Sequence, residues 1–405
     1  MTEGAAGAKT DTPLQTAFAD LARRTVFTNP SVFGTDYIPE EIFVRREFQP
    51  VVRFYFDCLK FQLQQALVIV GPTGSGKTLA ARYYGREAIR YAEQKDVSFR
   101  LAYLNCREIA SPYVFWQQLL ANLDAITPKG LSISDLIEKF ARAVDGSRHL
   151  VLVIDEIEKM FTTLGGEKAN DILYVLARLS GNRRLESAVS LILISNNVHL
   201  LDLLEPPVRS SLNVRTLTLG SYSALELVEI LDDRATKGLK KAVCSEAMLN
   251  YIAARTAQFN SDARFAIRLL RNAAVDVEQR GSGRIAKASV DRACSATKTE
   301  IERDLLGRLG TSQLLILLAI CKAARKVKDT PLKLRSVYQD IYRDLCEGFG
   351  RKPLVYSQFL SIVRGLQNYD LVNNTIERRR AGGFSRLVEV NFNPDYLESV
   401  AREAL

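Results

Sequence analysis

ALVIVGPTGSGKT, residues 66–78, joins an apolar run to a glycine-rich turn that ends in Lys77 and Thr78. The run is branched and uninterrupted, as in a strand buried on both faces of a parallel sheet. The turn matches G-x-x-x-x-G-K-[ST] in full, with a strand before it and an amphipathic helix predicted from Leu79 to Gln94 behind it. Gly71, Gly74 and Gly76 let the backbone of Pro72, Thr73 and Ser75 curl, so that successive N–H groups face one point. The following helix, beginning near Lys77, adds its positive dipole end. Such a cradle suits phosphate. Lys77 is then expected to reach the β- and γ-phosphates of ATP, or the β-phosphate of ADP, and Thr78 to ligate Mg2+. A glycine turn without a ligand is the plainer alternative, and it leaves the Lys-Thr pair and the downstream partner unexplained.

That partner is HLVLVIDEIEKM, residues 149–160. An apolar run ends in Asp155, expected in the Mg2+ shell, and Glu156, expected to polarise the attacking water. The same pair would also suit the start of a helix, where carboxylates favour the dipole. An Asp-Glu pair, with no N-K-x-D base-reading signature in the chain, points to ATP rather than GTP. LILISNN, residues 191–197, ends a further apolar run in Asn196, with Asn197 as its register-shifted rival. Either lies beside the γ-phosphate if this strand neighbours the first. Asn-Asn after a strand is also good turn chemistry.

The remaining strand-like runs are FRLAYLNC (99–106) and VRTLTL (214–219), with amphipathic segments between them. Alternation of this kind predicts an α/β P-loop core with a parallel sheet over residues 25–220. After Leu219 no convincing strand follows for about 150 residues, and helices at 224–237, 245–257, 261–280 and 287–304 predict a helical lid over 221–306. Gly307 and Gly310 mark the next boundary. Residues 307–405 read as three helices closed by a strand, a Gly-Gly turn and a strand, a winged helix. Residues 1–24 read as a disordered tail without a signal pattern.

Of 405 residues 47% are hydrophobic and 25% charged, an ordinary globular composition. No apolar run is long enough to suggest a membrane span. Six cysteines without a CxxC pair, and only two histidines, argue against a zinc site or a disulfide framework and for a reducing compartment. The net charge of +9 is unevenly spread: residues 310–405 carry 15 Lys/Arg against 10 Asp/Glu. The winged helix accounts for this excess. Helix 356–369 would face its core with Phe359, Ile362, Val363 and Leu366, and double-stranded DNA with Ser357, Gln358, Ser361 and Arg364. Arg378, Arg379, Arg380 and Arg386 would form the wing. Winged helices also serve as protein docking modules, which would not need the arginines.

Together the phosphate loop, VIDE, SNN and SDARFAIRLLRNA resemble an AAA+ ATPase, and the chain from about residue 25 to 400 resembles the archaeal origin-recognition and cell-division-cycle-type replication initiators. TDYIPEEIFVRRE is similar to that family's lead-in, which implies that Tyr37, Ile38 and Pro39 lie near the adenine and that Arg45-Arg46-Glu47 start the first helix. Ser261-Asp262-Ala263-Arg264 resembles the lid motif G-D-x-R, implying that Arg264 contacts the phosphates, with Ser261 as the helix cap. EPPVRSSL resembles a segment that offers a basic residue to a neighbouring subunit; Pro207 stands at the first such position, leaving Arg209 as the trans-finger candidate. A helical insert is implied near residues 106–124.

The resemblance implies an ATP-binding initiator that recognises duplex origin DNA and helps recruit the replicative helicase, with related initiator subunits as partners. Slow hydrolysis would act as its switch, and its location would be cytoplasmic and nucleoid-associated. A clamp-loader-like or transposition regulator acting on protein partners is the alternative, followed by a signalling ATPase whose winged helix is a spacer.

Overall fold

The computed structural model describes residues 25–34, 37–61, 63–125, 130–145, 149–179, 187–258, 262–307, 309–326, 332–368, 371–378 and 384–390, with Phe18, Glu398 and Arg402. It forms two compact units, Met1–Ala293 and Cys294–Leu405.

The first unit is built on a five-stranded sheet in the order β2-β3-β4-β1-β5, every pairing parallel. Its strands are β1 (Ala66–Val70), β2 (Phe99–Asn105), β3 (His149–Asp155), β4 (Ala188–Ser195) and β5 (Val214–Thr218). Every residue of β1, β3 and β4 is buried, which explains their unbroken apolar runs. The edge strands β2 and β5 are only partly buried. Side chains alternate between the two faces. Leu67 and Ile69 pack with Phe54 and Cys58 of α1 (Gln49–Phe61) and Ala81 and Ala88 of α2 (Lys77–Gln94). Val68 and Leu152 pack on the other face with Trp116 of α3 (Pro112–Ala121), Phe140 of α4 (Ile133–Val144), Met160 of α5 (Ile157–Leu164) and Leu173 of α6 (Gly166–Arg178). Helix α7 (Pro206–Leu212) adds Val208 and Leu212 to that layer.

Register sets the height of the strand ends. Val70 is level with Ser195, and Asn105 with Asp155. The carboxyl ends of β1, β4 and β3 therefore emerge side by side, where open parallel sheets bind ligands.

The lid comprises α8 (Ala224–Gly238), α9 (Glu246–Ala257), α10 (Ala263–Arg280) and the first part of α11 (Lys287–Leu306). Leu227, Leu231, Ile252, Leu269 and Ala273 form its buried interior. Ser223 and Glu226 close a capping box at the start of α8. The lead-in chain is stitched to the far end of that helix: Thr28 N donates to Gly238 O at 2.9 Å, and Lys240 N to Val26 O at 2.9 Å.

The second unit contains α12 (Thr311–Lys326), β6 (Leu332–Lys333), α13 (Arg343–Gly348), α14 (Tyr356–Asn368), β7 (Val372–Arg378) and β8 (Phe384–Val390), with a short turn of π-helix at Tyr338–Tyr342. Its sheet runs β6-β8-β7, antiparallel throughout. β6 corrects the expectation that no strand precedes the hairpin; two residues carry no readable period. Among the described residues no helix is long and apolar enough to cross a membrane.

His149 carries a pH test of the core. It is 1% exposed at the start of β3 and stacks on Phe99, with ring centroids 6.1 Å apart. The Ser190 hydroxyl accepts from Gln65 N and donates to Leu63 O, so His149 Nε2, 3.0 Å away, must donate to it. Nδ1 has no partner. Protonation would bury an unmatched N–H, and burial lowers the pKa to about 4. Between pH 4 and 6.5 the unfolded chain binds this proton and the folded one does not, so stability rises with pH across that window and is lost on acidification. The loss is expected to reach about 3 kcal/mol at most. Denaturant titrations at pH 7 and pH 4.5 should show this component in the wild type and not in His149→Gln.

Candidate nucleotide site and DNA-facing surface

The phosphate loop leaves β1 and enters α2 through two left-handed glycines, Gly74 at φ 75° and Gly76 at φ 87°. A Cβ on Gly74 would stand 1.7 Å from Asp262 Oδ1, and one on Gly76 2.3 Å from the Tyr222 hydroxyl. Glycine is needed here for space as well as torsion. Gly71 is buried, Pro72 and Thr73 are exposed, and Ser75 is buried with its hydroxyl donating to Pro72 O at 2.8 Å. α2 begins at Lys77, where the phosphate loop was expected to hand over to a helix.

Lys77 is buried, and its ammonium donates to Gly71 O at 2.8 Å and Pro72 O at 2.7 Å. Burial lowers its pKa to about 8; Asp155 opposes that effect and the nearby charge of Arg264 adds to it. Two cations held close beside glycine N–H groups make an anion site. The Thr78 hydroxyl donates to Asp155 Oδ2 at 2.6 Å, and Tyr103 donates to the same oxygen at 2.9 Å. A hydroxyl and a carboxylate converging at the mouth of a phosphate loop suit Mg2+. Among the described residues no cluster of His, Cys, Asp and Glu offers an all-protein metal site, so the donors fit only a metal shared with phosphate and water.

Glu156 is in the left-handed region at φ 52°, its N–H bonded to Asp155 Oδ1 at 2.8 Å. Its carboxylate is paired with Arg107, on the short 3-10 turn Cys106–Glu108 after β2. Asn196 is exposed at the end of β4, which does neighbour β1; its Nδ2 donates to Glu158 Oε1 at 3.4 Å. Ser195 donates to Glu158 Oε2 at 2.7 Å, while the Asn197 side chain turns back to accept from His199 N. Asn196 is the residue of the pair beside the acidic cluster.

On the lid, Arg264 is exposed in the first turn of α10. The cap of that helix is Asp262, which accepts from Arg264 N at 2.7 Å, and not Ser261, which lies outside the described residues. An aspartate caps as well as a serine and adds a negative charge that favours the helix start. Tyr37 and Ile38 are half-buried, with the Tyr37 ring 4.4 Å from Arg234 Cζ of α8. Arg209 is exposed on α7 and 3.5 Å from Asp202.

In the second unit, Phe359, Val363 and Leu366 of α14 are fully buried, while Ser357, Gln358, Ser361 and Arg364 are exposed on its other face. Ile362 is half-buried. Arg386 is half-buried on β8 opposite Ile376. Arg378 ends β7, opposite Phe384; Arg379 and Arg380 lie outside the described residues.

Three family models match in succession: an AAA domain over residues 61–204, a Cdc6 AAA+ ATPase-type lid domain over 228–295 and a CDC6 C-terminal winged helix domain over 304–400. ORC1-type DNA replication protein 3 of Sulfurisphaera tokodaii is 31% identical over 372 residues, 90% of this chain and 89% of that one. The chain belongs to the ORC1-type DNA replication proteins. ORC1-type DNA replication protein 1 of Methanosarcina mazei is 27% identical over 382 residues, 92% of this chain and 89% of its own. The solved Aeropyrum pernix ORC1 protein in complex with DNA superposes with a TM-score of 0.75 at 25% identity, covering 93% of this chain and 97% of that one.

As an ORC1-type protein the chain is a replication initiator of AAA+ ATPase and winged-helix construction, which implies nucleotide binding and ATPase activity. The parts played by three of its residues escaped the sequence reading. Arg45 proves to be buried, joining the lead-in, phosphate loop and lid. Glu158 ties the end of β4 to α5, and Arg107 holds Glu156. Glu158 was detectable as the next carboxylate along the chain after Asp155 and Glu156; Arg107 depends on sheet order, which no local pattern reveals.

Proposed function

We propose that this ORC1-type protein binds ATP as a conformational ligand, grips duplex origin DNA with its winged helix and helps to seat the replicative helicase alongside related initiator subunits. Slow hydrolysis resets it. The domain limits that serve this reading are 25–220, 221–306 and 307–405. The observation that carries it is the meeting of Lys77, Asp155, Asp262 and Arg264, where the first turn of the lid helix comes down on the phosphate loop.

Within the site, Gly71 to Thr78 bind the phosphates, with Tyr37 and Ile38 at the base. Thr78 and Asp155 would hold Mg2+, which when bound neutralises phosphate charge. Glu156 orients and deprotonates water, Asn196 holds that water through its amide, and Arg264 reports the phosphates to the lid. Arg209 is the residue offered to a neighbouring subunit.

Ser357, Gln358, Ser361 and Arg364 reach the major groove, and Arg378, Arg379, Arg380 and Arg386 clasp phosphates. The DNA complex of the Aeropyrum relative supports this assignment. Replacing Arg378, Arg379 and Arg380 together by alanine should weaken binding to a duplex at least tenfold and lower the slope of log affinity against log salt by about 3. Fluorescence anisotropy across a salt series measures both. Unchanged affinity would show the winged helix to be a protein-docking module.

A further inference from the structure

Three described donors converge on the carboxylate of Asp155, a residue only 4% exposed. The Glu156 N–H donates to Oδ1 at 2.8 Å, and the Thr78 hydroxyl to Oδ2 at 2.6 Å. The third is the Tyr103 hydroxyl, which donates to Oδ2 at 2.9 Å. Its origin sets it apart. Glu156 is the chain neighbour of Asp155 and Thr78 belongs to the phosphate loop, whereas Tyr103 comes from a separate strand.

The sheet puts it there. β2 pairs with β3 in parallel, with Asn105 level with Asp155 and Tyr103 level with Val153. Residues two apart in a strand share a face, so Tyr103 lies on the face of Asp155, about 6.6 Å further down the sheet. The phenol spans that step and meets the carboxylate from below. Its ring is fixed in turn by Arg82 of α2, whose Cζ is 5.1 Å from the ring centroid. Arg82 stands about one helical turn beyond Thr78. Tyr103 thus touches both β3, which carries Asp155, and α2, which carries Thr78. Those two elements must stay aligned for both oxygens to meet one cation.

We propose that Tyr103 is a positioning residue for the metal, holding the Asp155 carboxylate at the angle from which it and Thr78 share a cation. The inference rests on the nucleotide reading above and deepens it by naming a residue of β2 that sets how well the site takes its metal. A carboxylate that meets a cation is oriented by the donors on its other lone pairs, and losing one such donor commonly weakens metal binding by roughly 10- to 100-fold. Thr78 does not suffice alone, because its own oxygen must also face the cation. The Tyr103 hydroxyl has no second task and holds Asp155 whether the loop is loaded or empty.

Tyr103→Phe keeps the ring and its contact with Arg82 and removes only the hydroxyl. Calorimetric titration of ADP in EDTA and across a Mg2+ series, with Mn2+ binding to the ADP-loaded protein followed by paramagnetic resonance, reads the metal apart from turnover. The variant is expected to bind ADP in EDTA as the wild type does, and to need roughly tenfold more Mg2+ or Mn2+ for half occupancy. Unchanged metal dependence would overturn the inference. Equal weakening of ADP with and without metal would also overturn it and leave Tyr103 a brace of the sheet. A wild type that binds ADP but gains nothing from metal would remove the Thr78–Asp155 metal site, and this inference with it. A wild type that binds no ADP would overturn the nucleotide reading and all that rests on it.

Discussion

Glu156→Gln is expected to leave ADP and ATP affinity unchanged and to lower ATP turnover by at least about 100-fold, the ordinary contribution of a general base. The two neighbouring carboxylates have separate tasks because the backbone separates them. Asp155 closes β3 with its oxygens committed to Thr78, Tyr103 and the Glu156 N–H. Glu156, one residue on, turns to φ 52° and sends its carboxylate out of the strand direction. A left-handed glutamate is strained by something like 1 kcal/mol, and such strain persists where a side chain must be re-aimed.

Removing the carboxylate also removes the ion pair with Arg107, so a control is needed. Arg107 is 45% exposed at its side chain, which makes the pair weak and easily opened. Arg107→Ala therefore breaks the same contact while keeping the base. Single-turnover hydrolysis and nucleotide titrations on both variants divide the two effects. If Arg107→Ala lost turnover as severely as Glu156→Gln, the pair and not the base would carry the chemistry.

The parts of this site that are local in sequence were readable from it. The phosphate loop is one continuous turn whose glycines, Lys77 and Thr78 each have a fixed geometric duty. Asp155 and Glu156 end an apolar, branched run read as an interior strand, and all of that run is buried. The face of α14 followed from its period, with Phe359, Val363 and Leu366 inside and Ser357, Ser361 and Arg364 outside. What sequence patterns did not show is what the sheet order brings together. Arg107 meets Glu156 because β2 lies beside β3, and Ser195 meets Glu158 because β4 packs near α5. Arg45 was read only as part of a helix start, and Arg234 only as a position within the helix 224–237. Only the fold shows them buried, since a solvated arginine and a buried one have the same spelling.

Arg45→Ala is expected to lower the unfolding free energy of the protein by about 3 kcal/mol and to weaken ADP binding about tenfold. The guanidinium spends its donors on four different segments. Nε bonds Glu226 at 3.0 Å, Nη2 bonds Glu47 at 3.0 Å, and Nη1 reaches Gly220 O at 3.1 Å and Ser75 O at 3.5 Å. Its face lies over Tyr222, 4.6 Å from the ring centroid, and the Tyr222 hydroxyl in turn bounds Gly76. Truncation leaves two carboxylates and two carbonyls without their donor. The glutamates are 45% and 20% exposed at their side chains, so water recovers part of the loss and the effect stays at the low end for a broken buried pair. Glu226 records the contact independently: burial pushes its carboxyl up, and Ser223 together with Arg45 outweighs that and holds it below its ordinary range. Because Ser75 belongs to the phosphate loop and Glu226 to the lid, losing Arg45 loosens the one from the other, which is why nucleotide affinity should fall together with stability. Denaturant midpoints with and without ADP measure both. Arg45→Lys restores a single charge pair without the fork and should recover only part of each. Should Arg45→Ala lose stability while ADP still raised the midpoint by the wild-type amount, Arg45 would brace the fold without linking loop to lid.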